Sequence, residues 1–323
     1  MTKDKLEFLI PVYNEDTCLD HLMGRLDGIK GDFTDVELSV LFVNDGSSDN
    51  SLEMLIGYAQ KYDYIRVIDL SRNFGHQFAL TAGLDHCDAD YVCIIDGDLQ
   101  DPPELVKDLY NRAKQDSINV VYGQRSTRAG ESIFKKVTAS LFYKTINVMC
   151  KTDIPRDTGD FRLIDRKVLT ALKDMKESHR FIRGMVPWVG FKSEAFQYER
   201  DSRYAGETKY TLTKMLRFAM DGIFSFSRKP LRLASYLGII VAFLGFLGMA
   251  YMIYLKLFTN DVVEGITIIL VSIAIIGGVQ LLMLGILGEY IGRIFEQSKD
   301  RPLYVIDNIY DGNEGSAKRM TDV

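Results

Sequence analysis

Apolar and polar positions alternate in short blocks along the first half of the chain. Five apolar segments, each of strand length, are separated by longer stretches in which apolar residues recur at helical spacing. This alternation predicts an α/β fold with a mostly parallel sheet covered by helices on both faces. The predicted strands are Leu6 to Val12, Glu37 to Asn44, Ile65 to Leu70, Tyr91 to Asp96 and Asn119 to Gly123.

The pattern changes in the C-terminal third, where two long apolar stretches contain no charged residue. Leu233 to Leu255 and Gly265 to Gly288 are each long enough to cross about 30 Å of hydrocarbon. They predict a transmembrane hairpin, with a buried core hairpin as the alternative. The connector between them holds a single Lys, whereas basic residues flank the pair on both outer sides, so we expect both termini to be cytoplasmic. The flanking residues are Arg228, Lys229, Arg232, Arg293, Lys299 and Arg301.

Glycines recur seven residues apart in both apolar stretches. Such spacing places small residues on one stripe of each helix, where two helices can approach closely. The stripes therefore predict close packing, either within one hairpin or between the protomers of a homo-oligomer. They consist of Gly238 and Gly245 in the first helix, and Gly278, Gly285 and Gly292 in the second.

Composition narrows the class of protein. The chain has 323 residues, enough for one or two domains, and its net charge of -5 argues against a nucleic-acid partner. The four cysteines form no CxxC pair and no metal-ligand spacing, which is typical of reduced thiols in a cytosolic domain. The N-terminus has no apolar run long enough for a signal peptide, so we expect the first domain to stay in the cytoplasm. No GxGxxG follows the first strand and no GxxxxGK[ST] occurs, which argues against a dinucleotide dehydrogenase and a P-loop NTPase.

The segment most informative about chemistry is the fourth predicted strand and the turn after it, which together read YVCIIDGDLQDPPE. Asp96 and Asp98 lie at the end of this strand, where two carboxylates can hold a hard cation through oxygen ligands. An Asp/Gly/Pro turn that caps the next helix is the alternative. A calcium loop fits less well, because Asp101 and Lys107 occupy the positions that need Gly and Glu.

Polar, turn-rich segments follow all five predicted strands. Because ligands bind outside the carboxyl ends of parallel strands, five such segments at one rim favour a binding site. The segments are PVYNE at 11–15, NDGSSD at 44–49, SRNFGH at 71–76, DGDLQDPPE at 96–104 and GQR at 123–125.

Together with TGDFRLIDR at 158–166, these motifs resemble the family-2 glycosyltransferases. The closest likeness is to the polyprenyl-phosphate glycosyltransferases, which include dolichol-phosphate mannosyltransferases and bactoprenol glucosyltransferases with a C-terminal membrane hairpin. The resemblance covers nearly the whole chain and implies a Rossmann-like GT-A nucleotide-sugar domain. It implies inverting transfer of one sugar to polyprenyl phosphate with Mg²⁺ or Mn²⁺, from a UDP-linked hexose or, alternatively, a GDP-sugar. The QxxRW signature of processive synthases is missing from the sequence, which argues against chain elongation.

The resemblance also implies roles for individual residues. The implied metal ligands are Asp98, Asp96 and Gln100. The residues implied to hold the nucleotide sugar are Pro11, Tyr13, Glu15, Asp45, Asn73, Asp96, Arg203 and Lys209. The cations implied to bind the acceptor phosphate are Arg125, Lys135 and Lys136. The implied catalytic set is Asp157, Asp160 and Arg125.

The nature of the acceptor decides whether a base is needed. A hydroxyl acceptor would need a carboxylate to take its proton, whereas a lipid monophosphate is already anionic at neutral pH and can attack without that help. The sequence leaves two roles open for Asp160, as a general base or, with Asp157, as a ligand of sugar hydroxyls. Two rival functions also stay open, namely transfer to another membrane lipid such as diacylglycerol, and a non-catalytic scaffold or lipid-flipping partner.

These predictions divide the chain into four parts. Two amphipathic stretches, Ser132 to Cys150 and Thr211 to Arg232, are expected to lie on the membrane surface beside the lipid acceptor, or alternatively to pack on the sheet. We expect the polar tail after Lys299 to be partly disordered. The parts are a catalytic domain (1–165), an acceptor loop with juxtamembrane helices (166–232), two transmembrane helices (233–289) and a cytoplasmic tail (290–323).

Overall fold

Eight strands in one sheet organise the N-terminal part of the protein. The structure, a computed structural model, describes residues 3–33, 35–126, 158–199, 224, 227–258 and 265–312. Five strands lie where the sequence predicts them, and three more follow later in the chain. The strands are β1 (Asp4–Val12), β2 (Val36–Asn44), β3 (Ile65–Leu70), β4 (Tyr91–Ile94), β5 (Val120–Arg125), β6 (Thr158–Asp165), β7 (Ser193–Tyr198) and β8 (Ile306–Asp311).

The sheet is mostly parallel, as predicted, with strand order β7-β5-β6-β4-β1-β2-β3-β8. β1 runs parallel to β2 and β4, β2 runs parallel to β3, and β5 runs parallel to β7. β6 lies antiparallel between β4 and β5, and β8 lies antiparallel along β3. Because β6 is reversed, its first residues lie at the same rim as the last residues of its neighbours.

Helices cover both faces of this sheet, and two long helices lie between β7 and β8 along the chain. A 3₁₀ turn at Pro103–Leu105 leads into the fourth helix. The helices are α1 (Asp16–Lys30), α2 (Ser51–Lys61), α3 (His76–His86), α4 (Val106–Gln115), α5 (Arg166–Asp174), α6 (Ile182–Val189), α7 (Lys229–Phe258) and α8 (Ile266–Ser298).

Strand β1 shows how the sheet separates two hydrophobic cores. Phe8 and Ile10 pack into one core together with residues of α1, α2 and α4. Leu9, between them, packs into the other core with residues of α3, α5 and α6. Strands buried on both faces read as continuous apolar runs, which is why this strand is readily recognised from sequence.

The structure differs in two places from the domain division that the sequence suggests. The boundary placed at residue 165 falls inside the folded unit, because α5, α6 and β7 follow it and β7 pairs with β5. The expected disorder after Lys299 does not hold for Ile306–Asp311, which forms β8 on the edge strand β3. Residues 306–311 are therefore part of the sheet that carries the rim.

The two long helices have the length and composition to cross a membrane. The candidate spans, by length and composition, lie within Lys229–Leu255 and Ser272–Ser298, and the most apolar window of each is 0% buried. A core hairpin would be enclosed by the rest of the protein, so the exposure of both windows favours the predicted membrane hairpin over that alternative. Helix α8 continues ten residues past Gly288, the predicted end of the span, to Ser298, where it contacts the sheet domain.

Candidate active site

The rim at the carboxyl ends of β1 to β5 gathers most of the predicted site residues that the structure describes. The reversed strand β6 adds Asp160 to this rim, close to Asp96, which follows β4. His76, at the start of α3, joins them, and ligand atoms of these three side chains lie within 4.8 Å of one another. The rim therefore concentrates acidic groups around one imidazole.

The loops after β1 and β2 are joined to each other by hydrogen bonds. Asn14 has a positive φ of 55° and its backbone N–H donates to Ser47 Oγ at 3.0 Å. In return, Ser48 N–H donates to Asn14 Oδ1 at 2.8 Å, and Glu15 N–H donates to the Ser51 hydroxyl at 3.0 Å. This cross-bracing leaves the ring of Tyr13, 42% exposed, at the rim beside the buried end of β1.

Asp45 joins the loop after β2 to the loop after β3 through hydrogen bonds. Its carboxylate accepts the backbone N–H groups of Phe74 at 2.7 Å and Gly75 at 2.9 Å. Burial raises the pKa of Asp45, and these two hydrogen bonds act against that rise. Gly46 has φ of 64°, and a Cβ at this position would lie 2.4 Å from the Arg72 carbonyl carbon, so the close approach requires glycine. In this structure Asp45 is buried and holds the loop that contains Asn73, so its predicted contact with the nucleoside stays a prediction.

The predicted metal-binding turn projects from β4 over the end of β1. A Cβ on Gly97 would lie 3.5 Å from the Pro11 carbonyl oxygen, so the turn lies close against Pro11. Asp98 accepts the backbone N–H of Gln100 at 3.2 Å, and Leu99 between them has a positive φ of 61°.

Asp96 lacks a hydrogen-bond partner for one oxygen. Oδ1 is buried and accepts no hydrogen bond from any described residue, and the imidazole nitrogen His76 Nε2 lies 3.6 Å from it. Burial raises the pKa of Asp96 to about 6, with His76 opposing the rise and the charges of Asp160, Asp101 and Asp98 adding to it. A buried carboxylate oxygen without a donor, among other carboxylates, is the environment that a bound cation would stabilise.

Asp160 has the opposite environment. Arg183 donates to both of its oxygens, Nε to Oδ1 at 2.8 Å and Nη2 to Oδ2 at 2.6 Å, and His76 Nε2 lies 3.0 Å from Oδ2. Burial would raise the pKa of Asp160, but the Arg183 charge and the His76 hydrogen bond outweigh it and hold the pKa well below its usual range. A carboxylate held in this way is a weak base.

Arg125 lies at the end of β5 in a second polar cluster. A Cβ on Gly159 would lie 3.2 Å from Arg125 Nη2 and 3.9 Å from Asp101 Oδ2, which places both groups beside the first residues of β6. Asp101 is buried and its Oδ1 accepts the Tyr198 hydroxyl at 2.5 Å. The Arg125 guanidinium is thus held against a buried carboxylate and a buried tyrosine, with Nε buried and without a hydrogen bond to any described residue.

The donor set fits a hard divalent cation at Asp96 and Asp98. Carboxylate oxygens are the ligands that Mg²⁺ and Mn²⁺ prefer, and Asp96 offers an oxygen that accepts a hydrogen bond from no described residue. Asp160 also lies within reach, but the Arg183 guanidinium already occupies both of its oxygens and would repel a second cation. The cation is therefore better held on the Asp96 and Asp98 side of the rim.

Sequence reasoning missed three residues of this cluster. His76 ends the SRNFGH motif and follows a strand, so a signal was present, but no role was assigned to it. Arg162 stands in the TGDFRLIDR motif, and its guanidinium donates to the backbone oxygens of Gly159 and Asp160 at 2.9 and 3.2 Å. Arg183 had no sequence signal, because it lies on α6 and reaches the rim only through the fold.

Five predicted site residues lie outside the described part of the chain. The same holds for the amphipathic stretch Ser132 to Cys150 and for residues 211–223 of the second amphipathic stretch. Their predicted roles stay predictions. These residues are Lys135, Lys136, Asp157, Arg203 and Lys209.

Comparison with known proteins finds similarity along both parts of the chain. Residues 7–172 match the family described as glycosyl transferase family 2, and residues 229–294 match the GtrB C-terminal hairpin. The glycosyltransferase YkcC of Bacillus subtilis, which is named as uncharacterized, is 49% identical over 302 residues, covering 94% of this chain and 93% of the relative.

Two further relatives carry a more specific name. The bactoprenol glucosyl transferase of Shigella phage SfV is 38% identical over 304 residues, covering 94% of this chain and 98% of the relative. The prophage bactoprenol glucosyl transferase homolog of Escherichia coli is 36% identical over 305 residues, covering 94% and 99%. The similarity thus extends through the rim motifs and the apolar hairpin alike.

Proposed function

The chain belongs to glycosyl transferase family 2 and has its α/β GT-A fold, and we propose that it transfers one sugar to polyprenyl phosphate at the cytoplasmic face of a membrane. The proposed donor is a nucleotide diphosphate sugar, a UDP-linked hexose. The observation that carries the proposal is the presence, in one chain, of an acidic rim and an apolar hairpin, in the arrangement shared with relatives named bactoprenol glucosyl transferase.

The rim residues suit the donor diphosphate. A divalent cation held by Asp96 and Asp98, with Gln100 beside them, would offset the negative charge that develops on the departing nucleotide. Tyr13, at the exposed edge of the first loop, and Asn73, on the loop that Asp45 holds, are proposed to contact the nucleoside together with Pro11 and Glu15. Arg203 and Lys209 are proposed to close over the diphosphate.

The pairing of Asp160 supports a phosphate acceptor over a hydroxyl acceptor. Asp160 is held by Arg183 and His76 and its pKa is lowered, so it is poorly suited to take a proton from a hydroxyl group. A lipid monophosphate needs no such base. Asp160 and Asp157 are then proposed to bind sugar hydroxyls, while Arg125, Lys135 and Lys136 orient the acceptor phosphate for attack opposite the nucleotide, which inverts the anomeric centre.

The hairpin explains how an insoluble acceptor is reached. A polyprenyl chain stays in the bilayer, so the enzyme must meet its phosphate at the membrane surface. We propose that α7 and α8 span the membrane, with the sheet domain and both termini in the cytoplasm, so that the rim faces the lipid headgroups.

The proposal is tested with the full-length protein in detergent. Undecaprenyl phosphate and, in parallel, diacylglycerol are incubated with a panel of radiolabelled UDP- and GDP-sugars and Mn²⁺ or Mg²⁺, and the lipid is then extracted. We expect label in polyprenyl phosphate from one UDP-sugar and none in diacylglycerol. Labelled diacylglycerol, or no labelled lipid from any donor, would contradict the proposal.

A further inference from the structure

The segment that joins α5 to α6 touches both the second apolar helix and the catalytic rim. Residues 175–181 have no regular secondary structure, and they lead directly into Arg183, which holds Asp160. One short stretch of chain therefore lies between the end of α8 and the site.

At the α8 end, one side chain fixes the backbone of the segment. Gln297 Oε1 accepts the Ser178 N–H at 2.7 Å, and Gln297 Nε2 donates to the Lys176 carbonyl at 2.8 Å. Both halves of the amide are thus bound to the same loop, which fixes the direction of the loop as well as its distance from the helix. The neighbouring Glu296 adds a contact, with Oε2 lying 2.7 Å from His179 Nε2.

The middle of the segment is fastened to the sheet domain. The buried Arg180 donates to the Leu172 carbonyl of α5 at 2.8 Å and to the carbonyl of Met175, the first residue of the segment, at 3.1 Å. These bonds close the segment into a compact turn, in which only Arg180 and its two neighbours separate Ser178 from Ile182.

At the rim end, the segment contacts two site elements. The Ile182 N–H donates to Gln77 Oε1 at 2.8 Å, and Gln77 follows His76 at the start of α3. Arg183 then reaches Asp160 with both donors. The position of the Arg183 backbone therefore depends on contacts that run from Gln297 to Gln77.

The chain after α8 contacts α3 and the loop after β3. The Tyr304 hydroxyl donates to Asp85 Oδ2 of α3 at 3.0 Å, and the Val305 carbonyl accepts the Ser71 N–H at 2.9 Å, where the loop leading to His76 begins. The end of α8 is thus joined to α3 and to the loop after β3 by the covalent chain, as well as to Arg183 by Gln297.

We propose that Gln297 is a positioning residue for sugar transfer, which acts through Ser178 and Ile182 to hold Arg183 on Asp160. The catalytic geometry is then completed only when the sheet domain is docked on the end of α8. A displacement of about 1 Å at a reacting group can cost roughly 10²-fold in rate, so a side chain outside the rim can control turnover in this way. The proposal depends on glycosyl transfer but on no particular donor or acceptor.

The test compares three variants of the full-length protein in detergent. Gln297→Met keeps the length of the side chain and removes both hydrogen bonds, and Gln297→Glu keeps an acceptor for the Ser178 N–H but loses the donor. Ser298→Ala is the matched control, because the Ser298 hydroxyl bonds only within α8 among the described contacts, to Phe295 O at 2.9 Å. Amide hydrogen exchange of residues 176–183, kcat, the donor KM and the midpoint of thermal unfolding are measured for each.

For Gln297→Met we expect exchange at Ser178 and Ile182 to rise at least about fivefold and kcat to fall roughly tenfold, with the donor KM within about twofold and the unfolding midpoint unchanged. Gln297→Glu should lie between this variant and the wild type, and Ser298→Ala should match the wild type.

Unchanged exchange at Ile182 or an unchanged kcat in Gln297→Met would overturn the proposal. So would a parallel loss of kcat, donor binding and thermal stability, which is the pattern of a merely structural contact. A wild type that transfers no sugar from any donor would instead contradict the proposed function, and the exchange measurement would still decide whether Gln297 controls the segment.

Discussion

At the scale of single residues, two carboxylates of the rim, Asp160 and Asp96, differ in their hydrogen-bond partners and in the direction of their pKa shifts. Asp160 is held by Arg183 and His76 and stays ionised. Asp96 has a buried oxygen to which no residue in the described part of the chain donates, and burial is the main cause that raises its pKa to about 6. The motifs in the sequence point to both residues. They do not distinguish them, because the difference comes from Arg183, which is 23 residues away from Asp160 along the chain.

The first prediction concerns the proposed metal ligands. Asp98→Asn should lower sugar transfer at least about 10²-fold at saturating Mn²⁺, because an amide oxygen binds a divalent cation more weakly than a carboxylate. The unfolding midpoint should not change, since Asp98 lies at the rim outside the core. Asp108→Asn, on the exposed side of α4, is the control and should keep full activity. More than a few per cent of turnover left in Asp98→Asn, or full wild-type activity in excess chelator, would contradict the metal proposal.

The second prediction concerns the ion pair of Asp160, whose side chain is 1% exposed. Arg183→Met removes the main partner of a buried charge and should lower the free energy of unfolding by about 3 kcal/mol. Arg112→Met is the matched control, because Arg112 pairs with Glu194 on the surface, where both side chains are at least one third exposed. Its cost should stay below about 1 kcal/mol. Denaturant unfolding followed by tryptophan fluorescence measures both, and equal effects would contradict the assignment of Asp160 as a buried charge.

At the scale of elements, the strands that the sequence predicts are mainly apolar. β4 reads YVCI, and β1 is apolar from Phe8 to Val12 with both of its faces buried, so these strands are readily recognised. β6 is also central, but Asp160 and Arg162 interrupt its apolar positions, and their burial depends on partners that the sequence does not reveal. β8, which reads IDNIYD, lies on the sheet edge and alternates with polar residues, so it resembles a polar tail.

The third prediction tests whether β8 stabilises the sheet domain. Ile306 is 6% exposed and packs in the core on the α3 side, so Ile306→Ala should cost about 2 to 3 kcal/mol of unfolding free energy. Val305→Ala is the matched control, because this neighbouring apolar side chain is 49% exposed and its loss should cost less than about 0.5 kcal/mol. Denaturant unfolding of the full-length protein distinguishes the two. Equal, small effects would show that the segment does not stabilise the domain.

At the scale of the whole molecule, the chain leaves the sheet domain, forms the hairpin and returns to the same sheet. α8 ends beside Ser178 and His179, and six residues after Asp300 the chain has entered β8 on the edge of the sheet. The domain and the hairpin are therefore held together at α8 by side-chain contacts and by a paired strand. A division into a domain, a hairpin and a free tail, as the sequence suggests, misses this return because polar edge strands and tails have similar compositions.

The glycines of the hairpin differ in whether a Cβ there would contact the other helix of the hairpin. A Cβ on Gly238 would lie 3.0 Å from the Met283 methyl carbon, so this glycine contacts the other helix of its own hairpin. At Gly245, Gly278 and Gly285, a Cβ would have no atom of the described residues within 4 Å. Gly292, past the predicted end of the second span, has no such neighbour either. Packing within one hairpin thus accounts for one glycine of the stripes and leaves Gly245, Gly278 and Gly285 facing outward within the predicted spans.

The last prediction follows from those three outward-facing glycines. Because helices associate in a membrane through close packing of small residues, we expect them to pack against a second protomer, which is one of the two alternatives that the sequence leaves open. Gly245→Leu, and likewise Gly285→Leu, should then convert a homo-oligomer to monomers without changing the unfolding midpoint of the sheet domain. Gly238→Leu is the contrasting variant, since it should disturb the hairpin itself through Met283. Light scattering of the detergent-solubilised protein, corrected for bound detergent, gives the mass of each variant, and a monomeric mass for the wild type would contradict association through these glycines.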